Sequence, residues 1–492
     1  MKTDILILGS GLGGLLCADI LTRAGRSVTV LERQQQPGGC MQSFRRNGLN
    51  YDTGLHYVGG LGKGQTLGLV FQGLGLNTLP WHQLNADGFD HVTIDDEEYT
   101  VASGYDHFVD TLAERFPEER QALKDYCLLL SSIDEHTRAT ILGTQSASIT
   151  EPMTTGAWAY LNSHFHSPEL ISVLSAPAQK MELCPDSLPL FTFAHGNNGY
   201  IQSSWRLAGS GNTLVSRLIG DIRRQGGNVL CMNEVEALEC AGGKVTAARC
   251  TNGTRHEADL FVSDLHPALT TALISPPSAL RPLYRHRIAS LPNTYGILTV
   301  QLRLKPQRLP YFNYNHYIYR HADPWHLPAG EPDGSGGLLI SCKVPGDDSR
   351  WTTQVDLLTP MRWEAVSAWS DTSHGQRAES YNEAKQRWAE SCIDMATAAV
   401  PRLRDSIEEV YVSTPLTFRD YNHTPEGSAF GVRKDYHTPL LSMLSVHTPL
   451  SNMLLTGQSI NLHGVEGVTL TALQTCEAIL GKEATLRAAG LS

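Results

Sequence analysis

The sequence predicts an α/β fold: a Rossmann-type dinucleotide-binding domain, discontinuous along the chain, carrying an inserted α+β domain of mixed sheet and helices. Three observations predict it. An apolar run, Asp4–Leu8, meets the glycine series Gly9-Ser10-Gly11-Leu12-Gly13-Gly14 and is followed by a second apolar run, Val28–Leu31, ending on Glu32. A strand, glycine loop and helix pattern returns some 400 residues later, at Met453–Leu480. Between them, two long stretches break the pattern.

Asp4–Leu8 reads as a buried strand, Leu12–Ala24 as a helix with Gly25 as its cap, and Val28–Leu31 as the next parallel strand. Gly9 allows the tight turn out of the first strand, Gly11 lets backbone approach a pyrophosphate, and Gly14 lets the helix pack closely on the sheet. The free N–H groups and positive dipole end of the helix N-terminus then face the phosphates. Glu32, 23 residues after Gly9, is placed to accept hydrogen bonds from a ribose diol. Pro37-Gly38-Gly39 adds a second bare-backbone segment. A Pro-Gly turn is common, but an NAD domain does not need this one, whereas the ribityl chain and flavin of FAD continue past the pyrophosphate. FAD is therefore the predicted cofactor.

Further along, Val92–Val101 alternates around an acidic centre and predicts a hairpin with a solvated turn. Helices are expected at Phe108–Phe116 and Glu118–Ile133, and sparsely charged Leu170–Leu183 reads as a core helix or the lining of a lipophilic cavity. The sheet is expected to resume near residue 205, with Leu214, Leu218 and Ile222 at helical spacing, one strand over Val229–Leu238, and further strands at Val245–Cys250 and Leu260–Ser263. Tyr311, Phe312, Tyr314, Tyr317 and Tyr319 fall where a mixed sheet could wall a substrate site, although such rings are also ordinary strand residues. In the C-terminal block, a buried strand over Met453–Leu455 leads to a loop bracketed by Gly457 and Gly467 and a helix over Thr469–Leu480. Loop N–H groups there could face the N1 and O2 edge of a flavin, where negative charge develops on reduction. The resulting division is 1–75, 205–285 and 426–492 for the cofactor domain, with 76–204 and 286–425 as the substrate domain.

Composition narrows the function. Thirty-nine Lys+Arg against 50 Asp+Glu give a net charge of −11, with no basic arm, which argues against nucleic acid as a partner. The ten cysteines form no CxxC pair and fit reduced, mostly buried thiols of a cytoplasmic chain. His164-x-His166 lacks partners at metal-ligand spacing, so no metal is expected. The apolar run Ile5–Leu21 is broken by glycines and Asp19 and is too short to span a bilayer. Contact with the inner face of a membrane stays open, as does the oligomeric state.

These motifs, with Tyr51-Asp52-Thr53-Gly54-Leu55-His56-Tyr57, Thr424-Pro425-Glu426-Gly427-Ser428 and Gly457-Gln458-Ser459-Ile460-Asn461-Leu462-His463-Gly464, resemble the superfamily of phytoene desaturases, carotenoid isomerases and retinol saturases over essentially the whole chain. The saturase-like branch is the most similar. The resemblance implies noncovalent FAD held by Gly9, Gly11, Leu12, Gly13, Gly14, Glu32, Arg33, Gly38, Gly39, Cys40 and Met41, with Val235 at the adenine. It places the flavin under Gly457, Gln458, Gly464, Gly467 and Val468. Cys40 departs from the pattern, since many relatives carry a basic or small residue there. The implied reaction passes a hydride between flavin N5 and a carbon of a lipophilic polyene or isoprenoid, with saturation, desaturation and redox-neutral isomerisation as variants. NAD(P)H stays open as electron donor, and a flavin-binding protein without turnover is the reading from another class. His56, Tyr57 and His463 are the candidate proton donors. In a chain with 19 histidines, a structural, hydrogen-bonded role competes for each imidazole. Glu466 reads as a solvated loop charge or a group tuning the ring.

Overall fold

A computed structural model describes residues 2–146, 148–326, 337–346 and 349–491. Its largest sheet places Lys2–Leu8 between two parallel neighbours, Val28–Leu31 and Arg255–Ser263. Asn228–Leu230 extends the parallel set beyond Val28–Leu31, and Met453–Leu455 pairs in parallel with Phe261–Ser263. These strands run nearly continuously apolar because both faces are covered: Leu6, Ile7, Val30 and Val262 are wholly buried. Helix Leu12–Arg23 packs against helices Gly211–Arg224 and Gly464–Leu480, so the three segments of this sheet close on one core. All the parallel strands direct their carboxyl ends to the same edge, where α/β folds bind ligands.

The second sheet has seven strands, in the order Ile407–Ser413, Gly296–Leu304, Gln354–Met361, Leu338–Cys342, Asn315–Tyr319, Asp90–Ile94 and Glu97–Val101. Its expected hairpin turns on Asp95 and Asp96, both exposed and both at positive φ. Helices from Tyr105–Arg115 to Leu190–Gln202 cover one end of this sheet and form the largest apolar core. Asp52 ties the two sheets together: its Oδ1 accepts from Gly211 N at 2.7 Å, its carbonyl accepts from Gln301 Nε2 at 2.6 Å, and its carboxylate pairs with Lys343.

Four expectations change. Ser204–Leu207 does not rejoin the main sheet but pairs with Val58–Gly59 and Trp81–Gln83 in a small sheet of its own. The single strand expected over Val229–Leu238 is two, Asn228–Leu230 and Val235–Ala241, because residues 231–234 turn around the end of Val28–Leu31: Asn233 N donates to Glu32 O at 2.8 Å. Leu170–Leu183 is a helix only over Pro168–Ser175; Pro177 then introduces a 3-10 turn over Ala176–Lys180. The C-terminal helix begins at Gly464 rather than Thr469, so Gly464–Val468 form its first turn rather than a loop.

Candidate active site

A cavity of about 630 Å³ runs from the carboxyl edge of the main sheet to the face of the second sheet. Gly9, Gly11, Leu12, Gly13, Glu32, Arg33, Gly39, Cys40, Met41 and Val235 line one end, and Gln458, Gly464, Val468, His56, Tyr57 and His463 line the rest. Four of the expected cofactor residues do not line it. Gly14 packs the helix onto the strand, since a Cβ there would overlap Gly9 O. Gly38, at φ +125, turns the chain against Val215. A Cβ on Gly457 would overlap Asp264, and one on Gly467 would come within 2.6 Å of Leu462.

Ser10 organises the dinucleotide end. Its N–H and hydroxyl donate to Glu32 Oε2 at 3.1 and 2.5 Å, while its oxygen accepts from Gly38 N at 3.1 Å. Gln34 N donates to Glu32 Oε1 at 2.8 Å. The two glycine segments also touch directly, because a Cβ on Gly39 would lie 3.1 Å from Gly11 Cα. Arg33 donates to Asp420 O at 2.8 Å. Burial pushes the Cys40 thiol up to about 11, so this departure from the family pattern presents a neutral group.

The far end of the cavity is apolar, with Ile297, Leu339, Leu358 and Phe430 on its walls, and holds a few polar groups. His56 Nδ1 lies 3.3 Å from Asp356 Oδ2, while its buried Nε2 has no hydrogen-bond partner. The Tyr57 hydroxyl is 2.7 Å from that of Tyr317 and donates to Asp90 Oδ2 at 3.3 Å. Burial, with Asp90 beside it, holds the Tyr57 hydroxyl well above the ordinary phenol range. His463 sits on Phe430, ring centroids 5.0 Å apart, and burial among Lys434, His195 and Lys180 pushes it down to about 4. It is thus a neutral imidazole at ordinary pH.

Residues singled out from sequence but displaced from this cavity include Tyr311, Phe312, Tyr314, Tyr317 and Tyr319, none of which lines it. Tyr317 and Tyr319 are buried in their strand, and Tyr311 and Tyr314 pack around Arg206 instead. Glu466 is not a solvated loop charge: burial of its carboxyl pushes it up to about 8. Three groups escaped the sequence reading. Lys180 lines the cavity with its Nζ 4.2 Å from the Tyr200 ring centroid, and burial lowers it to about 8 against the pull of Asp90. Lys434 is buried, donating to Ser442 O, Ser459 O and Ile460 O at 3.0–3.1 Å. Asp264 stands at the carboxyl end of Arg255–Ser263, a strand end where a polar residue could have been suspected.

The family model for flavin-containing amine oxidoreductases matches residues 12–480. The chain belongs to that family. It is similar to human all-trans-retinol 13,14-reductase, 26% identical over 97% of this chain and 86% of that one. It is also similar to the chloroplastic prolycopene isomerase of Daucus carota, 22% identical over 93% and 76% of the two chains. Among solved structures, an oxidoreductase from Methanosarcina mazei superposes with a TM-score of 0.64 at 17% identity, covering 97% of this chain and all of that one. The fold is thus that of an FAD-dependent oxidoreductase, and the residues present fit the cofactor. Three bare glycines, the amides of a helix N-terminus and a buried carboxylate at the ribose position form one continuous surface at the sheet edge. Among the described residues, no helix is long and apolar enough to cross a membrane.

Proposed function

We propose that this protein is an FAD-dependent reductase that saturates a carbon–carbon double bond of a lipophilic, conjugated polyene of retinoid or carotenoid type. The observation that carries the reading is the make-up of the cavity: a dinucleotide cradle opens directly into a chamber walled by apolar side chains such as Ile297, Leu339, Leu358 and Phe430. The similarity to a retinol 13,14-reductase over nearly the whole chain supports the same class of reaction. Bound FAD supplies the two-electron, hydride chemistry.

The chain's own residues supply position, dryness and a proton. Apolar walls exclude water and hold a hydrocarbon chain against the cofactor end. Saturation adds a hydride to one alkene carbon and a proton to the other, so an acid must face the chamber. His56 fits that role best. His56 lines the cavity, Asp356 beside Nδ1 fixes the ring, and Nε2 has no hydrogen-bond partner. His463 is neutral, and the Tyr57 hydroxyl is held by Tyr317 and Asp90, which favours His56 over either.

The test is anaerobic. Protein reduced with dithionite is mixed with all-trans-retinol or a carotenoid extract, and flavin absorbance and product mass are followed together. Reoxidation coupled to a two-hydrogen mass gain is expected. Persistent reduced flavin with an isomerised product of unchanged mass would replace the reductase reading with the isomerase one that the prolycopene isomerase similarity favours. NADH and NADPH are titrated separately as electron donors.

A further inference from the structure

The dinucleotide cradle is already filled by a side chain. Arg255–Ser263 runs parallel to Lys2–Leu8, and the next residue, Asp264, donates its N–H to Leu8 O at 2.8 Å, which fixes it beside the glycine loop. Its carboxylate lies against both glycines: Oδ2 would overlap a Cβ on Gly11 and stand 3.3 Å from one on Gly14. Oδ1 lies within 2.6 Å of where a Cβ on Gly13 would stand, and the carboxylate would overlap a Cβ on Gly11 or Gly457. Asp264 therefore occupies the space that three bare glycines leave, beside the amides that a helix N-terminus offers to a phosphate.

We propose that Asp264 is a built-in competitor for the pyrophosphate cradle: FAD loads only when this carboxylate takes up a proton, so cofactor binding is coupled to proton uptake. Two anions cannot share this space, and among the described residues no cation bears on Asp264 to neutralise the second one. The titratable groups that bear on Asp264 are Glu32, from the end of Val28–Leu31, and the Cys40 thiol, from the turn Gly39–Met41. Glu32 adds negative charge, Cys40 adds none, and the helix contributes only amides. Burial and Glu32 together raise the Asp264 carboxyl to about 7. The sign follows from linkage. A phosphate in the same cradle holds the proton more tightly still, so affinity is full below that value and declines as pH rises above it, by up to roughly tenfold per pH unit. This coupling concerns the cofactor and holds whichever polyene is the substrate.

The experiment measures FAD binding to the flavin-stripped full-length protein from about pH 6 to about pH 8.5, where both phosphates of FAD stay ionised. Flavin fluorescence gives the affinity, and calorimetry in two buffers of different ionisation heat gives the proton count. The wild type should bind roughly thirtyfold more weakly at the upper end and take up a proton near pH 8. Asp264→Asn should bind with a flat pH profile and more tightly than wild type at pH 8.5. A wild-type pH slope retained in Asp264→Asn, or no proton uptake by the wild type, overturns the proposal. Asp264→Ala repeats the comparison, with melting of each apoprotein as the check on folding. Should neither variant fold, proton uptake by the wild type decides alone.

Discussion

The two ends of the cavity are made from different materials. The dinucleotide end is backbone: Gly9, Gly11, Gly13, Glu32 and Gly39 lie within forty residues of one another, and what they present is bare Cα positions, amides and one carboxylate. The chamber end is side chain: His56, Lys180, Asp356 and His463 come from four separate segments and are held by contacts between them. A site built from backbone tolerates little added volume, and its dependence on charge comes from the few carboxylates beside it, Glu32 and Asp264. A site built from convergent side chains tolerates small volume changes but depends on charge and pH.

The sharpest way to break this contrast is Gly11→Val. A Cβ there overlaps the Asp264 carboxylate and fills the path of any phosphate, so FAD affinity should fall by about two orders of magnitude or more, ~3 kcal/mol. The flavin-to-protein absorbance ratio of the purified variant reads this directly; full occupancy would show that the cradle is not where the phosphates bind. His56→Gln makes the opposite test at the other end. Flavin content should be unchanged, while kcat for polyene reduction drops by about 10²- to 10³-fold. Turnover at the wild-type rate would remove His56 as the proton source.

The same division explains what could be read from sequence. The strand, glycine loop and helix at the N-terminus are specified by local rules, so Gly9 at φ +91 and Gly25 at φ +79 stand where a turn and a helix end require them. The C-terminal block was legible for the same reason, except that its helix starts five residues early. His56 and His463 were visible as residues next to glycine motifs, but their different environments were not: a carboxylate from position 356 reaches one, and burial beside two lysines neutralises the other. Lys180 was illegible because it follows a sparsely charged helix and reaches the cavity only through the turn at Pro177. The aromatic run left two readings open, and Tyr317 and Tyr319 follow that of ordinary buried strand residues, because alternation shows that rings are buried without showing against what. Gly467→Ala tests a smaller misreading of this kind. The glycine packs against Leu462 rather than lining the cavity, so the substitution should cost about 1–3 kcal/mol of stability, measured by denaturant unfolding, with little change in FAD affinity. A selective loss of flavin would return Gly467 to the cofactor surface.

Lys180→Met sharpens the comparison most finely, because it changes charge at the chamber end with little change in volume. Burial lowers the ammonium from 10.5 to about 8, so Lys180 is charged below that value and loses its charge just above it. Wild-type turnover should therefore carry an alkaline limb near pH 8 that the variant lacks. Below the limb the variant should be slower by about three- to fivefold, within ~1 kcal/mol, the size of one partly screened charge. A second readout concerns the apoprotein. The folded chain binds fewer protons at Lys180 than the unfolded chain between pH 8 and 10.5, so its contribution to stability is full above 10.5 and is lost as pH falls toward 8. Melting temperatures over that interval should rise with pH in the wild type relative to Lys180→Met. Parallel curves, together with an unmoved alkaline limb, would show that Lys180 only fills the wall of the chamber and that its charge plays no part there.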